Sequence, residues 1–263
     1  MNKKSISILG SGWLGLPLAK YFSSKGFCVK ASTTSENRLS EIVSHKIKPF
    51  VVDIKNLTIG IKAFLKSEIL IINIPYKESA DFRKLIVEIE KSDIQKVLFV
   101  SSTSVYKDLN KTILEEDEVE TRNNPLFIVE KLFRNSEKFN TTVIRFGGLI
   151  GYGRNPVKHF IDGRPIKNSE SNVNLIHLDD CIGIIGNIIE RNIWSEVFNC
   201  CADTHPTKKE YYTEAARQLG FPIPNFEVPD EKSFKIISNK KVKHTLNYQF
   251  KHPDLLKIPF DNL

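Results

Sequence analysis

Apolar positions fall along this chain in short, nearly unbroken runs: Ile6-Ser7-Ile8-Leu9, then Phe27 to Ser32, Pro49 to Asp53, Ile69 to Asn73, Lys96 to Ser101 and Thr142 to Phe146. Between them apolar and polar residues alternate with a helical period, over Leu14 to Lys25, Glu36 to Ser44, Ile59 to Lys66, Ser79 to Lys91 and Leu126 to Phe139. The first set predicts strands and the second helices. Runs such as Ile69-Leu70-Ile71-Ile72 are apolar at every residue rather than at alternate ones, the pattern of a parallel strand covered on both faces. Strict alternation of such units predicts an α/β fold with a doubly wound parallel sheet, whose ligand would lie at the carboxyl ends of the strands.

The rhythm changes after Phe146. Gly147, Gly148, Gly151 and Gly153 come close together, Pro156 and Pro165 follow, and two further strand-helix units are expected at Asn174 to Glu190 and Val197 to Leu219. Short apolar pieces among Pro222, Pro224, Pro229, Pro253 and Pro259 then suggest an irregular end, either closing over a cleft or wrapping the fold without touching a ligand. The expected organisation is a first domain over residues 1–146 and a small C-terminal α+β lobe over 147–263.

The opening strand runs directly into Gly10-Ser11-Gly12-Trp13-Leu14-Gly15 and then a helix. That G-x-G-x-x-G order suits a dinucleotide diphosphate. The first glycine allows a tight turn, the second admits the phosphates to backbone N–H groups, and the third lets helix and strand approach closely. The helix N-terminus adds partial positive charge, and Pro17 fits a first turn that has no use for its N–H. A rival reading is a secretory signal, because Lys3 and Lys4 precede the apolar run and small residues stand near Ala19. The glycine spacing and the downstream alternation favour the nucleotide turn, and with it a Rossmann-type sheet beginning at the first strand.

Candidate cofactor contacts follow from this placement. Gly10, Gly12, Trp13, Leu14 and Gly15 form the turn. The end of the second strand holds Ser32, Thr33 and Thr34, with no carboxylate before Glu36 to bind a ribose 2′-hydroxyl. Hydroxyls there, with Lys30 or Arg38, would instead accept a 2′-phosphate, which favours NADP while leaving NAD open; the same hydroxyls would also serve as helix caps. Asp53 is either an acceptor for the adenine amino group or a turn residue. Ile74 and Pro75, after the fourth strand, and Ser101, at the end of the fifth, complete the set.

Composition narrows the partners. Lys and Arg number 38 against 31 Asp and Glu, a net +7, compatible with an anionic ligand or simply a solvated basic surface. The cluster Lys240, Lys241, Lys243 and His244 lacks interleaved aromatics, so nucleic acid is not expected, and no apolar stretch reaches membrane-spanning length. Cys28, Cys181, Cys200 and Cys201 show no disulfide or metal spacing, which points to reduced thiols in the cytoplasm; vicinal Cys200-Cys201 reads as core packing rather than a redox pair. The histidines at 45, 159, 177, 205, 244 and 252 lack ligand spacing, so no metal is expected.

Val97 to Tyr106, with Ser101-Ser102-Thr103-Ser104 before Val105-Tyr106, resembles the extended short-chain dehydrogenase/reductase superfamily, as do Val143 to Arg154 and Asn174-Leu175-Ile176-His177-Leu178-Asp179-Asp180. The likeness continues through Phe198-Asn199 and Ala215 to Gly220. It is nearest the atypical YeeZ-like branch of the NAD(P)-dependent epimerase/dehydratase family. The resemblance implies that Ser102 holds a substrate carbonyl and that Lys131 is the lysine of a Tyr-x-x-x-Lys pair. Here the tyrosine position is Phe127, which has no exchangeable proton. Tyr106 and Tyr152 are substitute acids or packing residues, Arg154 is an anion clamp or a surface residue, and Asp179 or Asp180 is expected to cap the following helix. The expected function is an NAD(P)-dependent oxidoreductase or epimerase acting on a small, anionic carbonyl or sugar-nucleotide substrate; the alternative is a non-catalytic NAD(P) sensor. Related proteins often pair through outer helices, so a homodimer is one expected state.

Overall fold

A computed structural model describes residues 4–43, 46–57, 60–159, 163–227 and 233–263. Lys3, Ser44, His45, Ile59 and Pro229, each used in the sequence reading, lie outside the described residues. The first half alternates β1 (Ser5–Leu9), α1 (Gly15–Ser24), β2 (Cys28–Thr33), α2 (Leu39–Val43), β3 (Lys48–Val51), α3 (Gly60–Phe64), β4 (Ile69–Ile72), α4 (Ser79–Glu90) and β5 (Lys96–Ser102). Then come β6 (Lys111–Ile113), α5 (Pro125–Arg134), β7 (Asn140–Phe146), β8 (Gly148–Ile150), β9 (Leu175–His177) and α6 (Leu178–Glu190). The chain ends with β10 (Val197–Cys200), α7 (Lys208–Leu219), β11 (Lys235–Ile237) and α8 (Lys240–Leu246).

Seven strands make one parallel sheet in the order β10-β7-β5-β4-β1-β2-β3. The chain builds outward from β1 to β3, then resumes with β4 on the other side of β1. In register, Ile8 pairs with Ala31 on one side and Ile71 on the other. This reversal opens a crevice beyond the carboxyl ends of β1 and β4. Every residue of β4 is buried, as expected of a strand covered on both faces. The apolar run after Lys4 is thus a central strand of the sheet.

The chain forms two compact units. The first holds residues 1–101, 122–144 and 185–197; the second holds 102–121, 145–184 and 198–263. In the first, Phe82, Phe99 and Phe133 stack and meet edge-on at centroid distances of 5.2 to 6.1 Å, locking α4 and α5 to β5. The second has its own core of Ile150, Val157, Val173, Tyr211, Ala215, Leu255, Ile258 and Phe260. It also contains two small parallel ladders, β6 with β11 and β8 with β9.

The expected helix over Leu126 to Phe139 is shorter, because the chain turns at Asn135, whose N–H bonds Lys131 O, and Thr141 Oγ1 donates to Phe133 O. The expected helix from Glu36 divides into a 3₁₀ turn at Glu36–Arg38 and a short α2. All four cysteines are free, with Cys28 exposed and the others buried. Among the described residues no helix is long and apolar enough to cross a membrane.

Candidate dinucleotide site

The segments after β1, β2, β3 and β4 converge on one cavity of about 440 Å³, within the size range of cofactor pockets. Its lining includes Gly10, Gly12, Ser32, Thr33, Thr34, Arg38, Asp53, Ile74 and Pro75, so residues from four separate turns meet in one place. Asn73 and Tyr76 line it too, so the whole segment Asn73-Ile74-Pro75-Tyr76 after the fourth strand reaches the cavity, and Ser11 and Lys55 are further lining residues that the sequence reading did not assign as contacts. Ser11 carried a signal in the sequence, since it stands between the fingerprint glycines. Lys55 lies on a loop whose path the sequence did not disclose.

The three glycines do different work. Gly10 has φ +96°, and a Cβ there would meet Asn73 O at 2.4 Å. At Gly15 a Cβ would lie 1.9 Å from Gly10 O, so helix and turn close on each other only without a side chain. Gly12 faces open space, with nothing within 4 Å of a Cβ built there. Helix α1 has no side-chain N-cap and no acidic residue in its first turn; Leu16 N–H bonds Gly12 O and Leu18 N–H bonds Leu14 O, so it is the positive end of the helix dipole at the glycine turn that favours an anion. Ser11 is buried and its hydroxyl has no partner among the described residues, a polar atom that a ligand in this cavity would satisfy. These features fit a dinucleotide diphosphate.

Around the turn, Gly10 N–H donates to Ser32 Oγ at 3.1 Å and Ser11 N–H to Ser32 O at 2.8 Å, tying β1 to β2. Arg38 donates to Ser11 O at 3.2 Å and pairs with Glu41 at 3.3 Å, which holds its guanidinium at the cavity rim. Lys30 does not reach the cavity. Its ammonium donates to Ala63 O in the last turn of α3 and to Lys66 O just beyond it, where the carbonyl end of a helix favours a cation. Asp53 accepts from Lys55 N–H at 3.0 Å, a turn bond that coexists with its place in the lining. The Tyr76 hydroxyl donates to Asp81, whose carboxylate holds the phenol's pKa up at about 12. Trp13, Leu14 and Gly15 are not in the lining; Leu14 is buried and Gly15 serves the close approach just described.

Asn124 caps α5 by accepting from Leu126 and Phe127 N–H, and Pro125 occupies its first turn. The helix buries Leu126, Val129, Glu130 and Phe133, so Phe127 and Lys131 fall outside the buried stripe. Lys131 is exposed, its ammonium 5.0 Å from the Phe127 ring centroid: the i, i+4 spacing brings them together as a cation–π pair. Ser101 donates to the buried Glu130 carboxylate and is not in the cavity lining. Ser102 accepts from Ser104 N–H at 3.1 Å, capping a 3₁₀ turn.

Tyr106 is buried. Its hydroxyl donates to Asn199 at 3.0 Å and accepts from Arg145, a fully buried guanidinium that also pairs with Glu120. Burial pushes the phenol up to about 12. Tyr152 is exposed and turned toward Asp179. Arg154 is exposed in the turn bridged to Gly151. The expected capping role of Asp179 or Asp180 falls instead to His177, whose Nδ1 accepts Asp179 N–H at 3.2 Å, because α6 begins at Leu178. Burial lowers the His177 pKa, and His252 beside it adds to the shift.

No family model matches the chain. It is 30% identical to Protein YeeZ of Escherichia coli (strain K12), across 98% of this chain and 100% of the relative. Among solved structures, a functionally unknown conserved protein from Silicibacter pomeroyi DSS superposes with TM-score 0.80 at 17% identity, over 98% of this chain and 97% of that one. UDP-glucuronic acid 4-epimerase from Bacillus cereus, in complex with UDP-glucuronic acid and NAD, gives 0.77 at 16%, over 98% of both chains. MoeE5 in complex with UDP-glucose and NAD gives 0.78 at 15%, over 98% and 97%. The full-length identity to Protein YeeZ places this chain in the YeeZ family, and the superposing structures share its fold.

Proposed function

We propose that this protein binds a nicotinamide dinucleotide against the N-terminal turn of α1 and acts as an oxidoreductase or epimerase on a small anionic carbonyl compound or sugar nucleotide. The observation that carries the reading is the open space over Gly12 at the positive end of α1, in a cavity that also holds the Ser11 hydroxyl, unpartnered among the described residues. The sugar nucleotides and NAD in the superposing structures belong to those proteins, and they support the substrate class here by likeness of fold.

Gly12 and the first turn of α1 would hold the diphosphate, and Asp53 the adenine end. Thr33, Thr34 and Arg38 would take a 2′-phosphate, which favours NADP. When bound, the nicotinamide supplies a hydride donor or acceptor. Ser102, whose oxygen already accepts a backbone N–H, keeps its own proton to donate to a substrate carbonyl. Lys131 supplies charge beside Phe127, which cannot serve as acid.

That last point favours a second reading, a dinucleotide-binding sensor without turnover. Both are tested by assaying the parent, Ser102→Ala and Phe127→Tyr with NADPH and NADH against carbonyl and nucleotide-sugar panels. Turnover by the parent that falls about 100-fold in Ser102→Ala supports the enzyme. Binding without turnover, with activity gained in Phe127→Tyr, supports the sensor. A parent that binds neither coenzyme overturns both.

A further inference from the structure

Folding of the second unit brings together two histidines that are far apart in the chain. Asp179 Oδ2 lies 3.4 Å from His177 Nδ1 and 3.0 Å from His252 Nε2, and the three candidate ligand atoms all fall within 4.8 Å of one another. The imidazole rings are 3.9 Å apart between centroids. The arrangement is held from behind. Asp180, fully buried, accepts from Tyr248 hydroxyl at 2.9 Å, Lys251 N–H at 2.7 Å and His252 N–H at 3.1 Å, which fixes the backbone of His252 against the start of α6. At Gly151 (φ +112°) a Cβ would stand 2.5 Å from His177 Nε2, so the glycine gives the ring its room.

We propose that His177, Asp179 and His252 form a site for one divalent ion of the zinc class, which clasps the C-terminal segment to the start of α6. A tetrahedral zinc centre with bonds of about 2.0–2.1 Å separates its ligand atoms by roughly 3.3–3.4 Å, close to the two distances above. Two imidazole nitrogens and one carboxylate suit zinc or cobalt rather than magnesium or calcium, which prefer oxygen. Asp179 can only accept, so the facing His252 nitrogen carries a proton; it passes to solvent as the metal takes its place. At His177 the metal replaces the Asp179 N–H contact. Water takes the fourth position, beside the exposed Tyr152. Asp180 acts behind the ligands, as positioning carboxylates do in such centres.

The proposal is independent of dinucleotide binding. Its test uses the full chain, dialysed against chelator and titrated with cobalt(II) chloride or zinc sulfate. The expected result is one equivalent of cobalt with the visible bands of a four-coordinate nitrogen and oxygen site, displaced by zinc, and a thermal midpoint that rises with zinc. Asp179→Asn, and His252→Ala at a half-buried position whose loss leaves the core intact, each weaken binding at least about tenfold. No saturable uptake, unchanged affinity in His252→Ala, or a thiolate-to-cobalt charge-transfer band pointing to Cys28 would each overturn the proposal.

Discussion

At the scale of single residues, the fingerprint glycines separate folding from binding. Gly12→Ala meets no atom within 4 Å, so it should leave the thermal midpoint unchanged while weakening coenzyme binding by placing a methyl group where phosphate must approach. Gly15→Ala drives a Cβ into Gly10 O and should destabilise the fold by about 1–3 kcal/mol. Calorimetry and coenzyme titration on the two variants distinguish these outcomes; equal effects of both on stability would contradict the assignment. Arg38 gives a second contrast. Removing its guanidinium in Arg38→Ala should cost NADPH about tenfold or more in affinity and NADH little, as a charge-assisted contact to a 2′-phosphate requires.

At the scale of elements, the 3₁₀ turn after β6 offers a pH test. Glu115 accepts Asn199 N–H at 2.6 Å, its other carboxylate oxygen is buried with no partner among the described residues, and burial raises its pKa above the ordinary 4.5. The folded state therefore binds this proton more tightly than the unfolded state. Glu115 should add stability below pH 4.5 that is lost as pH rises through the raised value. Glu115→Gln keeps an acceptor for Asn199 and should flatten that part of the stability profile in thermal melts at stepped pH. Arg145 tests the neighbouring network: Arg145→Met strands the Glu120 carboxylate and should cost about 3–5 kcal/mol, measured by denaturant unfolding.

The same scale shows what a sequence discloses. Strands β1, β2, β4, β5 and β7 were legible because continuous apolar runs carry their own signal, and the glycine turn because its spacing is local. The smallest ladder was not. The three-residue strands β6 and β11 pair with each other across nearly half the chain, and Lys111 to Ile113 has no local pattern to mark it. The fate of Lys30 was hidden too, since the carbonyls at the end of α3 that bind its ammonium are supplied by tertiary structure. His177 and His252 lack ligand spacing in the sequence and meet only through the fold, and Phe127 with Lys131 kept its spacing while losing its chemistry.

For the whole molecule, the reversal of strand order beside β1 puts four turns around one cavity, and the chain as a whole carries a net charge of +7. Long-range attraction should therefore aid a more highly charged coenzyme. NADPH affinity is expected to fall more steeply than NADH affinity as ionic strength rises, because exposed charges are screened beyond roughly 8–10 Å. The central claim is that the amino end of α1 receives a dinucleotide diphosphate. The most direct measurement is an equilibrium titration of the purified chain with NADPH and NADH, alongside Gly12→Val. The account predicts saturable binding of one coenzyme per chain, tighter for NADPH and abolished by the valine in a protein that still melts as the parent does. A parent that binds neither, or a valine variant that binds as well as the parent, would contradict it.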